Sequence, residues 1–434
     1  MAHIRKAEIT SPIVTLGGES TSRVLPALLV AAIACIGAAF FFGGAFSADG
    51  RAAFMHSYLV SYMFFLTITL GCIFFVMIQH LTKAGWSVTV RRVAEIMGCA
   101  IFPMAILFIP ILLSLLSGDV SLYTWVDEPS DGAPAWAVGD PRIFDIKSTF
   151  LNPTWFAIRA VIYFTIWTFV AFRLYTWSIK QDETGDKQIS LKSQAFCAPL
   201  MLGFVLSLAF AAFDWEMSLA PMWFSTMFPV YIFAGCVLSS LATILLVCLL
   251  LQKTGRITDE ITIEHYHDLA KLCFAFIFFW GYIAFSQFML IWYANIPEET
   301  FWYRFRFEGG WVLFSLVLLF GHLFIPFLGM MARTVRRNKT YLLFAAIFLL
   351  AMHWVDHYWI VMPQLNASVY EGYFSGGEPI TKTEYVQYPN FIDLLLFVGM
   401  GALFVASFCV VSGNRALVPL KDPRLHEALN YDNP

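Results

Sequence analysis

Ten long apolar runs constrain what this chain can fold into more than any other feature of the sequence. A helix needs roughly 20 apolar residues to cross about 30 Å of hydrocarbon, and every run reaches that length. Because the runs are continuously apolar, they predict transmembrane helices rather than the alternating strands of a barrel. The runs are Val24–Phe46, Met55–His80, Val93–Leu116, Pro153–Ile179, Ser193–Asp214, Phe224–Leu251, Leu269–Ala294, Gly309–Met331, Tyr341–Pro363 and Phe391–Val411.

The composition also indicates a membrane protein. Hydrophobic residues make up 59% of the 434 residues and charged residues only 13%, whereas a soluble domain carries about 25% charged residues. So few charges could not cover such an apolar core in water, and lipid must therefore surround most of the chain. Soluble multidomain, disordered and disulfide-stapled secreted proteins are excluded, and a net charge of −3 does not indicate nucleic-acid binding.

The distribution of Lys and Arg predicts the orientation. The segments on one side of the runs contain 19 Lys and Arg residues and those on the other side 6, which places both termini in the cytoplasm. The first run is too long for the apolar part of a cleaved signal, although Ala45-Phe46-Ser47 could pass as a cleavage site. We therefore expect a cytoplasmic segment 1–23, a ten-helix membrane domain 24–411 and a cytoplasmic tail 412–434.

An internal similarity suggests two parallel four-helix bundles, helices 2–5 and 6–9, flanked by helices 1 and 10. Pro103 and Pro110 predict kinks in helix 3. The acidic outer loop 117–152 is either a solvated surface or a docking surface for a partner. The similar positions in helices 2 and 6 are Ser57, Tyr58, Tyr62 and Gly71 in the first, and Ser225, Tyr231 and Gly235 in the second.

The ninth run has the densest set of ionisable residues at membrane depth. His353, Asp356 and His357 are spaced i, i+3 and i+4, which predicts one shared helix face in the outer half of the membrane. Ionisable groups in lipid are costly and are therefore candidates for function. The alternative is that they tie helices together or belong to an interfacial belt.

Other polar residues are expected near these three. Arg159 cannot deprotonate and needs a carboxylate or a ligand oxygen, for which Asp214 and Asp356 are candidates. His322 is a candidate proton relay or a histidine bonded to a backbone carbonyl. The further candidates for a quinone site or proton path are Glu216, Gln287 and His56. Five more polar residues near the cytoplasmic side either begin a proton path from the cytoplasm or lie in the wet headgroup zone. They are Glu95, His80, His265, His267 and Asp268.

These residue types suit a quinone head group, because His and Asp can hydrogen-bond its two oxygens and exchange protons with it. The eight Cys form no C-x-x-C or C-x-x-C-H motif, so an iron–sulfur cluster or covalent haem on this chain is not expected. A haem b between His322 and His353, or a metal on the ninth run without a clear fourth ligand, stays an alternative. The chain has no hydrolase or nucleotide-binding motif.

Two segments of the sequence resemble a known family. They are Asp214-Trp215-Glu216-Met217-Ser218-Leu219, continuing to Tyr231, and the segment from His353 to Pro363. Together with the ten spans and the cytoplasmic termini, these segments resemble the polysulfide-reductase-type (NrfD-like) membrane subunits. Among these the chain is most similar to the F-type membrane subunit of bacterial alternative complex III, a quinol:cytochrome c oxidoreductase. The resemblance covers nearly the whole chain in topology but only these segments in motif.

The resemblance implies a respiratory complex in the bacterial inner membrane. Quinol or menaquinol would be oxidised in the membrane, and iron–sulfur and multihaem c subunits on the outer face would carry the electrons. A paralogous ten-helix subunit would be a further partner. The F-type subunit would carry no covalent cofactor and would conduct protons or have a structural role. The residues that the resemblance singles out for testing are Asp214, His353, Asp356 and His357.

Two other interpretations stay open. A secondary transporter or ion channel would use the same buried charges for its substrate, and typically has interrupted helices at matching places in its two halves. A structural anchor of a redox complex would tolerate Asp356→Asn and His353→Ala with normal turnover and assembly.

Overall fold

The structure is a computed structural model that describes residues 15–126, 146–307, 309–365 and 386–433. These residues are helical with connecting turns and contain no strand. Ten helices are long and apolar enough to cross a membrane, which confirms the predicted all-α integral membrane fold. The spans are Thr21–Phe42, Gly50–Leu81, Val88–Leu116, Pro153–Thr184, Gln188–Leu219, Phe228–Lys253, Ile263–Ala294, Trp311–Gly329, Lys339–Leu365 and Phe391–Ser412.

Several helices continue beyond the apolar runs, because hydropathy marks the part in lipid and not the whole helix. The second helix begins at Ala48, where the Ser47 hydroxyl accepts a hydrogen bond from the Gly50 amide at 3.2 Å and caps the first turn. The third span begins at Val88. Arg91 and Arg92 precede the third apolar run, and the charge distribution counts them in the loop after the second. They belong to a helix instead, which corrects that assignment.

Two spans are interrupted. The third consists of helices Val88–Gly98, Ile101–Leu107 and Ile109–Leu116. Pro103 and Pro110 lie near the starts of the last two, where a missing N–H costs least, and the span is interrupted just before each of them. The eighth span consists of helices Trp311–Val317 and Ile325–Gly329 with a π-helical segment, Leu318–Phe324, between them. The sequence did not predict that segment.

The second and sixth spans form the buried centre of the molecule. A Cβ atom added to Gly71 would lie 2.0 Å from the carbonyl oxygen of Cys236, so the two backbones are in contact there and only glycine fits. A Cβ added to Gly235 would lie 3.2 Å from the ring of His353. These glycines are a pair in the internal similarity, and together they let the second, sixth and ninth spans meet.

The spans pack as two groups of four around this centre. In the first group, the second span packs against the third and fifth, and the fourth packs against the third and fifth. In the second group, the sixth span packs against the seventh and ninth, and the eighth contacts both of these. The first and tenth spans pack against each other beside the second.

Shorter helices connect the spans. The structure has a helix Pro297–Phe307 before the eighth span and a helix Leu425–Leu429 after the tenth. Single 3-10 turns occur at Thr124–Val126, Met217–Leu219 and Val335–Arg337. We call the side that carries residue 15 and residues 413–433 the terminal face, and the other side the opposite face. Expectations that concern residues 1–14, the acidic residues within 127–145 and residues 366–385 lie outside the described part.

The segment after the tenth span folds back across the terminal face. The Asp422 carboxylate lies 2.6 Å from Nη2 of Arg91 in the third span. The Leu420 amide donates to Asp182 of the fourth span at 2.7 Å. Further along, the Tyr431 hydroxyl donates to Asp268 of the seventh span at 2.5 Å. This segment therefore connects the two groups of spans.

Candidate functional site

The three ionisable residues of the ninth span are buried in the middle of the molecule. His353, Asp356 and His357 are each exposed by 2% or less. The predicted shared face is only partly correct. The rings of His353 and His357 lie together, with centroids 4.7 Å apart, whereas Asp356 is directed towards partners from the sixth and seventh spans.

His357 forms an ion pair with Glu216. Its Nδ1 lies 2.7 Å from Oε1 of Glu216, and both side chains are almost fully buried. Glu216 directly follows the helix that ends at Trp215, so its carboxylate faces the ninth span from the end of the fifth. The second oxygen, Oε2, has no hydrogen-bond partner among the described residues. A carboxylate and an imidazole in this geometry can exchange a proton.

Thr67 of the second span connects the two histidines. Its hydroxyl donates to the Met63 carbonyl at 2.8 Å and lies 2.8 Å from Nε2 of His353 and, at a longer 3.4 Å, from Nε2 of His357. A hydroxyl has one hydrogen, so with that hydrogen on Met63 both imidazoles must donate to it. His357 then carries a hydrogen on Nε2, and the contact of its Nδ1 with Oε1 of Glu216 holds one further proton between the two groups.

Asp356 is held by two aromatic donors. The Tyr231 hydroxyl donates to Oδ1 of Asp356, and Nε1 of Trp280 donates to Oδ2 at 3.2 Å. Tyr231 belongs to the sixth span and Trp280 to the seventh. These donors explain why Asp356 faces away from the two histidines, since a buried carboxylate needs hydrogen-bond donors.

His322 lies in the π-helical segment and is fully buried. Its ring packs on Trp280 with centroids 4.0 Å apart, and neither ring nitrogen has a hydrogen-bond partner among the described residues. The predicted bond to a backbone carbonyl is therefore not formed there. Within the described ranges, no group of three or more His, Cys, Asp and Glu side chains is placed to hold a metal ion, so the metal alternative on the ninth span gains no support.

Arg159 pairs with Asp214, one of its two predicted candidates, and not with Asp356. Its Nε and Nη2 donate to the two carboxylate oxygens at 2.9 and 2.7 Å, and Tyr163 donates to the same carboxylate at 2.8 Å. Asp214 and Glu216 flank Trp215 at the end of a helix, and their side chains point to different neighbours. Asp214 faces the fourth span and Glu216 faces the ninth.

Gln287 and His56 are both buried. Oε1 of Gln287 has no hydrogen-bond partner among the described residues. His56 lies two turns inside its helix rather than at its start, and its Nδ1 bonds the Ala52 carbonyl at 2.8 Å. Among the described hydrogen bonds, none joins either residue to the ninth span.

The residues suggested for a path from the terminal face are held in structural contacts. Glu95 pairs with Arg91 at 3.1 Å and with Arg92 at 3.0 Å, and Asp182 lies 2.7 Å from Arg92. The buried guanidinium groups of Arg91 and Arg92 are therefore neutralised by neighbouring carboxylates. His265 helps to cap the seventh span, and Asn433 bonds both His267 and Asp268. His80 differs, since it is half-buried and its Nε2 has no hydrogen-bond partner in the described part.

Two groups on the terminal face, outside the spans, have shifted pKa values. Burial alone would raise the pKa of Asp422, but the Arg91 guanidinium outweighs it and the pKa lies below its ordinary value. Burial, together with the hydrogen bond to Asp268, raises the pKa of Tyr431 to about 12. Asp422 is therefore ionised and Tyr431 neutral at neutral pH, which are the states in which both contacts form.

Sequence reasoning missed Thr67 and Trp280 entirely and used Tyr231 only as a mark of internal similarity. A single Thr or Trp in an apolar helix has no distinguishing signal. No protein-family model matches this chain, and no curated protein matches it. The functional interpretation therefore depends on this geometry together with the resemblance.

Proposed function

We propose that this chain is a membrane subunit of a quinol-oxidising respiratory complex, and that its buried carboxylates and histidines carry the protons that quinol oxidation releases. The contact that carries this proposal is the ion pair between Glu216 and His357. It continues through Thr67 to His353. Titratable groups in lipid are costly, and a hydrogen-bonded series of them is suited to proton transfer.

The proposal divides the chemistry between subunits. Oxidation of one quinol yields a quinone, two protons and two electrons. This chain handles protons, while iron–sulfur and haem c groups of partner subunits take the electrons to a cytochrome c. The missing C-x-x-C and C-x-x-C-H motifs in this chain agree with that division. A paralogous ten-helix subunit is a further partner.

The positive-inside rule supports the orientation. With the terminal face in the cytoplasm of a bacterium, the Glu216–His357 pair lies in the outer half of the inner membrane. The Arg159–Asp214 pair lies near the same surface. Protons that leave this region have a short route to the outer side, where the cytochrome subunits would dock.

A transporter is less well supported. Its interruptions should fall at matching places in the two halves, but here they fall in the third and eighth spans. Under a repeat of four spans, the third corresponds to the seventh and the eighth to the fourth. The interruptions therefore do not match.

The test is purification in a mild detergent from membranes of the source organism. We expect co-purifying subunits, a redox spectrum with c-type haem, and quinol-dependent reduction of cytochrome c. A single monodisperse chain without haem-containing partners would contradict the proposal. If the complex is obtained, Asp356→Asn and His353→Ala should assemble normally and turn over slowly, whereas full turnover of both would indicate a structural anchor.

A further inference from the structure

A cavity of about 600 Å³ lies between the seventh and eighth spans and the helix Pro297–Phe307. Aromatic side chains dominate its walls. This volume is typical of sites for small organic molecules. The lining residues that matter for the argument are Trp280, Gln287, Phe288, Trp302, Tyr303 and Trp359.

Among the buried polar atoms of the lining, Oε1 of Gln287 has no hydrogen-bond partner within the described residues. Gln287 is 4% exposed. The residues of the described chain that line the cavity include no charged side chain. A charged ligand would be without a counter-ion in this apolar site. A neutral ligand with a hydroxyl donor would satisfy Gln287.

The cavity is next to the buried carboxylate of the ninth span. Tyr231 and Trp280 both line the cavity, and both donate to Asp356. A hydroxyl-bearing ligand would therefore lie one layer of side chains away from a group that can take up a proton.

The cavity can be reached from the lipid. Phe285 and Leu316 line it, yet they are 60% and 45% exposed on the surface that faces the bilayer. Leu319 and Phe324 of the π-helical segment also line the cavity and have exposed side chains. The π turn therefore shapes the lipid-side wall, and such turns are frequent at functional sites.

We propose that this cavity binds a neutral hydroquinone from the membrane, with its ring between the aromatic walls, one hydroxyl donating to Gln287 and its tail leaving between the seventh and eighth spans. This site uses Gln287, one of the candidates that the sequence gives for a quinone site, and not the ninth-span histidines. Its ligand class rests on the proposed function, but the binding does not require turnover. No oxidation step is assigned to the cavity.

The probe is a decyl-substituted benzohydroquinone, compared with its dimethyl ether, and binding is measured on the purified protein with all its companions. Wild-type protein should bind the hydroquinone at least tenfold more tightly than the ether. Gln287→Leu should remove that difference while leaving the binding of the ether unchanged. Equal affinities for both probes in the wild type would overturn the hydrogen bond to Gln287.

A second pair of variants tests the location. Ala284 lines the cavity, whereas Ala275 lies on the exposed face of the same helix. Ala284→Phe should lower the number of hydroquinone molecules bound per complex by one, and Ala275→Phe should leave that number unchanged. Equal binding by both variants would overturn the site. A phospholipid that stays bound in the wild-type cavity and prevents the probe from binding there would also overturn the site.

The two proposals can fail separately. Hydroquinone binding with the expected variant pattern, in a protein without quinol turnover, supports the site and contradicts the proposed function. Quinol turnover that is unaffected by Ala284→Phe, with no loss of binding, overturns the site and leaves the proposed function intact.

Discussion

Nδ1 of His357 lies 2.7 Å from the carboxylate of Glu216, although the two residues are 141 positions apart in the chain. The contact joins the end of the fifth span to the ninth. It therefore links the first group of four spans to the second. Each side chain is 2% exposed or less, so the pair is shielded from water and its proton can move only through neighbouring side chains or a bound ligand.

We expect Glu216→Gln to lower quinol turnover by on the order of 100-fold, the usual effect of losing a positioned proton-transfer group. The amide keeps the volume of the side chain but cannot take up a proton. Glu183→Gln, an exposed change on the terminal face, is the matched control. Steady-state reduction of cytochrome c by quinol measures both, and equal rates would rule out a role for Glu216 in proton transfer.

The Arg159–Asp214 pair should matter for stability. Arg159→Met leaves a fully buried carboxylate without its counter-charge, which costs about 3–5 kcal/mol for a buried pair. The midpoint of thermal unfolding in detergent should therefore fall clearly. Arg173→Met in the same helix is the control, because Arg173 is exposed. Similar midpoints for the two variants would show that the buried pair contributes little.

The contact between the second and sixth spans predicts opposite outcomes for two glycines. Gly71→Ala places a Cβ 2.0 Å from a backbone carbonyl oxygen, and the required shift should cost about 1–3 kcal/mol. Gly203 has nothing within 4 Å of an added Cβ, so Gly203→Ala should be neutral or stabilising through helix propensity. Thermal unfolding of the two variants measures this difference. A Gly71→Ala protein as stable as Gly203→Ala would contradict the close approach of the backbones.

Acid should release the segment after the tenth span. The lowered pKa of Asp422 means that its contribution is complete above the ordinary carboxyl pKa of about 3.9 and is lost as the pH falls through the lowered value. Protection from hydrogen exchange in residues 413–433, taken relative to the intrinsic rate at each pH, should therefore persist between pH 7 and 5 and fall in stronger acid.

Asp422→Asn should give fast exchange in the same residues already at pH 7, because Arg91 loses its charged partner. Asp432→Asn is the control, since Asp432 is exposed. Slow exchange in the Asp422 variant at neutral pH would show that other contacts of the segment are sufficient to hold it.

The sequence was a good guide wherever a physical signal is local. Apolar length predicted the ten spans, proline predicted the breaks in the third, and the permanent charge of Arg159 required a partner such as Asp214. The positions of Gly71 and Gly235 in the internal similarity also proved to be places of close contact.

The sequence could not predict which side chains meet across spans. Thr67 became part of the site only because the second span passes the ninth at that depth. Asp356 shares a helical face with two histidines by spacing, but donors on two other spans turn it away. Charge normally indicates water, so the sequence predicts a loop at Arg91 and Arg92. Besides the local partner Glu95, each has a carboxylate partner from a distant segment, Asp422 for Arg91 and Asp182 for Arg92.

The folded-back segment has a consequence for biosynthesis. Arg91 is inserted with the third span, but its partner Asp422 is synthesised 331 residues later. During this interval Arg91 has Glu95 of its own helix as a carboxylate partner, and it shares that carboxylate with Arg92. The third span therefore completes its packing only when the region beyond the tenth span has been translated. A chain truncated before that region should be degraded by quality-control proteases.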